Sequence, residues 1–309
     1  MTIQQMLYAI KIAELGSMNK AAEALFLSQP TLTSAIRELE GEVGISIFQR
    51  TGKGMRPTAE GEEFLIYARQ LYQQYELIEQ KYADPANIKR KFGVSSQHYS
   101  FAVKAFVETV KQFDTLHYEF AMREGKTMEV ISDVSGLKSE IGILYQNDFN
   151  REIIQKILRD HDLMFAPLIS CKAYVYLWKN HPLAGQSSIC FEELVPYPCL
   201  SFEQEGSFYF SEEILSTKEY PRMIKATDRS TMLNLMVGLN GYTLCSGIIC
   251  EELNGSDFAA VPFASDELNP NSAMEIGYVV KKNSPISKIG EIYLSEVKQY
   301  LDQVSHRVS

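Results

Sequence analysis

Residues 17–40 read SMNKAAEALFLSQPTLTSAIRELE, and their punctuation decides how the N-terminal part of the chain folds. Ala21, Ala22, Ala24 and Leu25 carry one short helix, whose small side chains let a second helix cross closely. The run Phe26-Leu27-Ser28 makes a turn. Ser28 is a natural N-cap, and Pro30 falls in the first turn of the next helix, where its missing N–H costs nothing. Leu32, Ile36 and Leu39 then form a buried stripe at helical spacing, which leaves Pro30, Thr33, Ser34 and Arg37 on the opposite face.

Working outward, Met6, Leu7, Ile10 and Ala13 give a preceding helix from Gln4 to Glu14, which Gly16 and Ser17 stop. Downstream of Gly44, the run Ile45-Ser46-Ile47-Phe48 alternates like a short strand, and residues 50–57 (RTGKGMRP) read as a basic, glycine-permissive hairpin. Three helices followed by a basic wing describe a winged helix-turn-helix suited to a DNA major groove. The outer face of the third helix supplies short polar groups and Arg37, and Arg50, Lys53 and Arg56 place positive charge at the wing for the phosphate backbone. From Thr58 a longer helix carries Phe64, Ala68, Leu71, Tyr75, Ile78 and Tyr82 at alternating steps of four and three, a coiled-coil seam that predicts a dimer.

From Phe92 strand and helix alternate, which predicts parallel sheets covered by helices. The segments 92–94, 117–120 and 141–144 read as strands of one block, and 173–177, 199–202, 223–226 and 242–245 as strands of a second. The closing strand 275–280 and helix 286–301 return to the first block. The expected organisation is therefore α/β and multidomain, with a DNA-binding domain over 1–61, a dimerising linker helix and hinge over 62–91, and a two-lobed domain over 92–309. Its first lobe takes about 92–164 and 265–309, its second about 165–264.

Composition limits the alternatives. The chain has 309 residues, 45% of them hydrophobic and 22% charged, which is ordinary for globular domains. Its net charge of −9 argues against coating nucleic acid by bulk positive charge. Residues 1–92, however, hold eleven basic and eleven acidic side chains, so the whole excess of acid falls on the remainder. No membrane-length apolar run and no signal-peptide layout is present, and the five cysteines include no C-x-x-C pair, so a reducing, cytoplasmic setting is expected. The five histidines form no H-E-x-x-H, and neither G-x-S-x-G nor a phosphate loop occurs. No enzyme, cofactor or metal site is expected.

The segment 17–40, with Gly44-Ile45-Ser46-Ile47-Phe48-Gln49-Arg50 and Pro57-Thr58-Ala59-Glu60-Gly61, closely resembles the signature of LysR-type transcriptional regulators. Looser landmarks are Glu140-Ile141-Gly142-Ile143, His181-Pro182-Leu183-Ala184 and Gly238-Leu239-Asn240-Gly241-Tyr242. The resemblance implies a winged helix, a dimerising linker helix and a sensor like a periplasmic binding protein, with a small effector in the cleft between its lobes. Its expected partners are a double-stranded operator, a homodimeric or homotetrameric assembly, and RNA polymerase if the protein activates. Ser17, Asn19, Gln29, Pro30, Thr31, Thr33, Ser34, Arg37, Arg50, Lys53 and Arg56 are the DNA-contacting candidates.

For the cleft, helix N-termini at strand ends suit an anionic or zwitterionic ligand. Ser95, Ser96, Gln97 and His98 are one such terminus, led by Ser96, and Thr227 and Ser230 are another in the second lobe. Tyr145, Phe202 and Glu203 follow strands and complete the expected walls. Some relatives sense peroxide through a thiol near the position of Cys199, so redox control is the alternative. A buried, inert cysteine fits that strand better.

Overall fold

In a computed structural model, residues 1–52, 54–82, 90–113, 118–204, 208–213, 220–264 and 273–308 are described, without the side chains of 77, 79–82 and 305–308. Lys53 and the side chain of Tyr82 lie outside them. The chain divides into two compact units, Met1–Arg90 and Lys91–Ser309.

In the first unit, Thr2 and Gln5 form a capping box that opens α1 (Ile3–Leu15), and Gly16 closes it at φ 60°. Ser17 caps α2 (Met18–Ala24). After a turn in which Phe26 takes φ 57°, Ser28 caps α3 (Gln29–Val43) by accepting from the Thr31 N–H at 3.3 Å. Leu32, Ile36 and Leu39 are buried against Ile12, Ala21 and Ala22. The wing is β1 (Phe48–Thr51) paired antiparallel with β2 (Gly54–Pro57). The strand expected from Ile45 starts only at Phe48, because the Glu40 carboxylate accepts from the N–H groups of Ile47 (2.7 Å) and Phe48 (3.1 Å) and ties this segment to α3.

Thr58 accepts from the Gly61 N–H at 2.9 Å to open α4 (Ala59–Tyr82). Its expected seam divides in two. Ala68 is buried in the core of its own unit and Phe64 packs partly against that core, so neither is a free dimer contact. Leu71, Tyr75 and Ile78 are exposed, as is Tyr67.

The second unit opens with β3 (Arg90–Ser96), α5 (Ser100–Lys111), β4 (Tyr118–Glu124), α6 (Thr127–Ser135), β5 (Ile141–Gln146), α7 (Arg151–Asp160) and β6 (Leu163–Lys172). The chain then builds a second lobe from β7 (Tyr174–Trp178), β8 (Ile189–Cys190), α8 (Phe191–Leu194), β9 (Cys199–Phe202), β10 (Met223–Ala226), α9 (Arg229–Leu239), β11 (Thr243–Cys245), α10 (Glu251–Asn254) and β12 (Phe258–Ala264). It returns through β13 (Ala273–Lys281) and α11 (Lys288–Val308).

The first lobe's sheet runs β4-β3-β5-β13-β6, and the second lobe's runs β11-β7-β12-β8 with β9 and β10 paired alongside. Both sheets are mixed rather than parallel. β13 lies antiparallel between β5 and β6, and β7 is antiparallel to β11 and β12, because returning segments enter from the opposite end. β6 stays in the first lobe's sheet through Lys172, so the crossing falls at Ala173, later than the expected residue 165. In the first lobe, buried Phe101, Ile141, Ile276 and Tyr293 join the sheet to α5 and α11.

Candidate functional site

In the first unit, the stripe that buries α3 turns its other face to solvent. Gln29, Pro30, Thr31, Ser34 and Arg37 are exposed, and Thr33 is half-buried. The first-turn side chains support one another, Gln29 Nε2 donating to Thr33 Oγ1 at 2.9 Å and Ser28 sharing a proton with Thr31 at 2.7 Å. Asn19 on α2 and Arg50 and Arg56 on the wing are exposed, while Ser17 is occupied as the α2 cap. A helix presenting short hydrogen-bonding groups and one guanidinium, beside a basic hairpin, can address base edges and phosphates together.

In the second unit, a cavity of about 90 Å³ lies between the lobes, bounded by His98, Tyr99 and Met274 of the first and by Tyr176, Phe202 and Arg229 of the second. The expected helix terminus at Ser96 is not where the helix begins. β3 continues through Ser96, and α5 starts only at Ser100, without a side-chain cap at Tyr99. Ser95 is instead a buried brace, donating to Asp133 at 2.6 Å beside Ser139 at 2.8 Å. Ser96 turns its hydroxyl onto the Gln97 carbonyl at 2.5 Å. Gln97 is spent on Thr127 (2.7 Å) and the Tyr145 N–H (3.0 Å). None of the three lines the cavity.

His98 does. Its ring stacks on Phe202 with centroids 3.8 Å apart, and Nδ1 meets the Glu212 carboxylate at 2.9 Å, with both side chains under one-tenth exposed. Burial alone would lower the imidazole pKa, but the hydrogen bond and charge of Glu212 outweigh it and the net shift is upward. Glu212 accepts from the His98 N–H as well, at 3.0 Å.

Glu212 arrives on a segment, Phe208 to Glu213, that reaches across to the first lobe. Its carbonyls accept from Asn150, Thr127 and Tyr145, the last donating its hydroxyl to Ser211 at 2.7 Å. Tyr145 is thus an anchor for this strap rather than a wall of the cavity. At its end Glu213 is fully buried, accepting from Ser201 Oγ (2.9 Å) and the Phe202 N–H (2.7 Å). Burial, reinforced by the neighbouring Glu212 charge, pushes its pKa up to about 7.

Across the cavity, Asp228 caps α9, accepting from the Thr231 N–H at 2.9 Å, while Thr227 and Ser230 face solvent away from the cavity. Arg229 is the α9 residue that faces in, ion-paired with Glu124 and donating to Asn254 at 3.4 Å. Glu203 is exposed and off the cavity. Arg229 belongs to the helix start expected at the second lobe's side of the cleft, whereas Glu212, Glu213, Tyr176 and Thr243 were not foreseen. Cys199 is buried with its thiol pushed up to about 12, by burial first and the Glu213 charge second, so it lacks the exposed, acidic thiol that redox sensing needs. Among the described residues no cluster of His, Cys, Asp and Glu could hold a metal ion, and no helix is long and apolar enough to cross a membrane.

The comparisons agree with this architecture. Residues 3–62 match the lysR family of bacterial regulatory helix-turn-helix proteins. The transcriptional regulator CbbR of Sinorhizobium medicae is 28% identical over 217 residues, which cover 69% of this chain and 65% of that protein, just under two thirds of its length. Full-length OxyR from Pseudomonas aeruginosa superposes with a TM-score of 0.67 at 17% identity, covering 96% of this chain and 95% of that one. CbnR, a LysR family transcriptional regulator, gives 0.56 at 16% identity over 97% and 99%. At such identities the structures bear on the fold alone, and they share a helix-turn-helix followed by a mixed α/β region. Residues 3–62 thus carry a helix-turn-helix of the lysR family, and the chain as a whole shares the fold of the LysR-type regulators it resembles.

Proposed function

We propose that this protein is a DNA-binding transcriptional regulator in which α3 enters the major groove, the wing touches the backbone, and a small molecule bound between the lobes sets the response. The observation that carries the reading is the division of α3 into a buried Leu32/Ile36/Leu39 face and an exposed face of Gln29, Ser34 and Arg37. CbnR has been solved in complex with its target DNA, and its fold resembles this one with a TM-score of 0.54. Arg37→Ala is expected to weaken binding to DNA from beside the protein's own gene by about 1–3 kcal/mol without changing the melting temperature, because Arg37 takes no part in the core. Titration of labelled DNA tests this, and wild-type affinity in the variant would refute the assignment of α3.

The same reading gives α4 a role in assembly. Tyr67, Leu71 and Ile78 leave an apolar strip that one copy of unit 1 does not cover, which supports pairing between copies. Leu71→Glu is expected to shift the protein from dimer or tetramer to monomer in light scattering at micromolar concentration and to remove cooperative DNA binding. An unaltered mass would place the interface elsewhere.

The cavity is the proposed effector site because residues of both lobes line it. A ligand touching both binds their closed arrangement more tightly than the open one, and only such a difference can shift an equilibrium.

A further inference from the structure

The charged groups around the cavity are already committed to one another. Arg229 is paired with Glu124, His98 with Glu212, and Glu213 takes its two donors from Ser201 and Phe202. Two neutral groups are not committed. The Tyr176 hydroxyl and Thr243 Oγ1 are buried without a hydrogen-bond partner among the described residues. Asn254 approaches the Tyr176 phenol closely enough to oppose the rise that burial imposes on its pKa, yet completes no well-formed bond. Tyr176 and Thr243 are directly opposed residues of β7 and β11. Opposed residues of an antiparallel pair project from the same face, so both side chains head the same way, and both line the cavity. A buried hydroxyl without a partner is disfavoured, and a ligand group that pairs with it removes that cost.

Much of the remaining wall is apolar, formed by Met232, Leu233, Ile248, Ile249 and Met274. The geometry points to an uncharged, compact and mainly apolar molecule, with a single hydroxyl, carbonyl or amide group held by Tyr176 and Thr243, as the occupant of this cavity. The inference rests on the reading of the cavity as the effector site and supplies the ligand class. A carboxylate would lie beside Glu212 and Glu213 while the nearby cations, Arg229 and His98, stay paired to carboxylates of the protein. An ammonium group would have to displace His98 and Gln204 from Glu212, or Ser201 and Phe202 from Glu213. The volume of about 90 Å³ favours a compact occupant such as a short branched chain.

Isobutyramide, isobutyrate and isobutylammonium share one shape and differ in charge, and their binding to the full-length protein can be followed by ligand-observed NMR. Isobutyramide is expected to bind roughly tenfold or more tightly than either ion, the ions losing solvation that the cavity does not replace. Tyr176→Phe and Thr243→Val are each expected to weaken isobutyramide several-fold, while the melting temperature of the ligand-free protein stays level or rises, because each removes an unpaired hydroxyl. Equal or tighter binding of isobutyrate, binding of none of the three, or wild-type affinity in both variants would overturn the inference. DNA titrations separate it from the reading beneath it. If isobutyrate occupies the cavity and alters DNA affinity, the effector site stands and the ligand class falls. If isobutyramide binds as expected yet leaves DNA affinity unchanged at saturation, the ligand class stands and the effector role falls.

Discussion

Gly61→Ala is expected to destabilise unit 1 by about 3 kcal/mol or more, enough to abolish DNA binding, while unit 2 stays folded. A methyl group at Gly61 would meet the Ile47 carbonyl oxygen at 2.0 Å and its carbon at 2.8 Å. Neither atom can retreat cheaply. The Ile47 N–H is held by Glu40 at 2.7 Å, and its carbonyl accepts from the Thr58 N–H at 3.0 Å, one turn before the glycine itself. The clash therefore falls on the joint between α3, the wing and α4, and relief on any side breaks a cap or a tether. Trp178 is the single tryptophan and belongs to unit 2, so its fluorescence reports that unit alone. Helical circular dichroism should show an early transition in the variant that tryptophan fluorescence does not share. Coincident transitions at the wild-type temperature would refute the packing argument.

The second large effect is a loss of stability in unit 2 as pH rises. Glu213 has its pKa raised from 4.5 to about 7 by burial and by Glu212. The native state therefore holds the proton more tightly than the unfolded chain, and stability falls with pH wherever that is so. The contribution is complete below about pH 4.5 and gone above about pH 7. Between pH 5 and 8 the change is on the order of 2–3 kcal/mol. His98, also shifted upward, adds loss of the same sign above its unfolded value of 6.5. His181, held neutral by burial, acts in the opposite sense below 6.5. Glu213→Gln isolates the carboxyl. Denaturant melts followed by Trp178 fluorescence should show stability declining from pH 5 to 8 in the wild type, and a shallower decline in the variant. Equal slopes would show that Glu213 does not titrate in this range.

What sequence conveyed depended on whether the controlling interaction was local. The caps at Ser28 and Thr58 and the stripe of Leu32, Ile36 and Leu39 are set by neighbours within one or two turns, and all are found in the structure. The strands β9 and β10 also fall at the expected residues. Long-range partners were invisible. Glu40 reaches forward to draw Ile47 out of the expected strand. Nothing near Ser95 announces Asp133 as its acceptor, so a side chain that pattern alone placed in a cleft is a buried brace. Glu212 lies 114 residues from His98, and neither position carries a periodic signal. Tyr176 and Thr243 read as ordinary strand residues, and only the pairing of β7 with β11 shows that their side chains project from one face. His98 and Phe202 were singled out for separate reasons and meet face to face.

Lys172 and Ala273 are cross-strand partners where β6 and β13 meet. Everything between them, including the six strands from β7 to β12, is in effect cargo carried at the tip of a hairpin. Neighbouring strands lie about 5 Å apart, a gap that a two-residue turn closes. Deleting 173–272 in favour of Asn-Gly would keep every strand of the first sheet. By the same geometry a single backbone cut within the second lobe leaves its two fragments attached to the first, one through β6 and the other through β13. The second lobe is thus a cassette. A genome could exchange it for another at two breakpoints that lie side by side in space, acquiring a new ligand specificity while the first lobe's sheet and the helix-turn-helix keep their sequences.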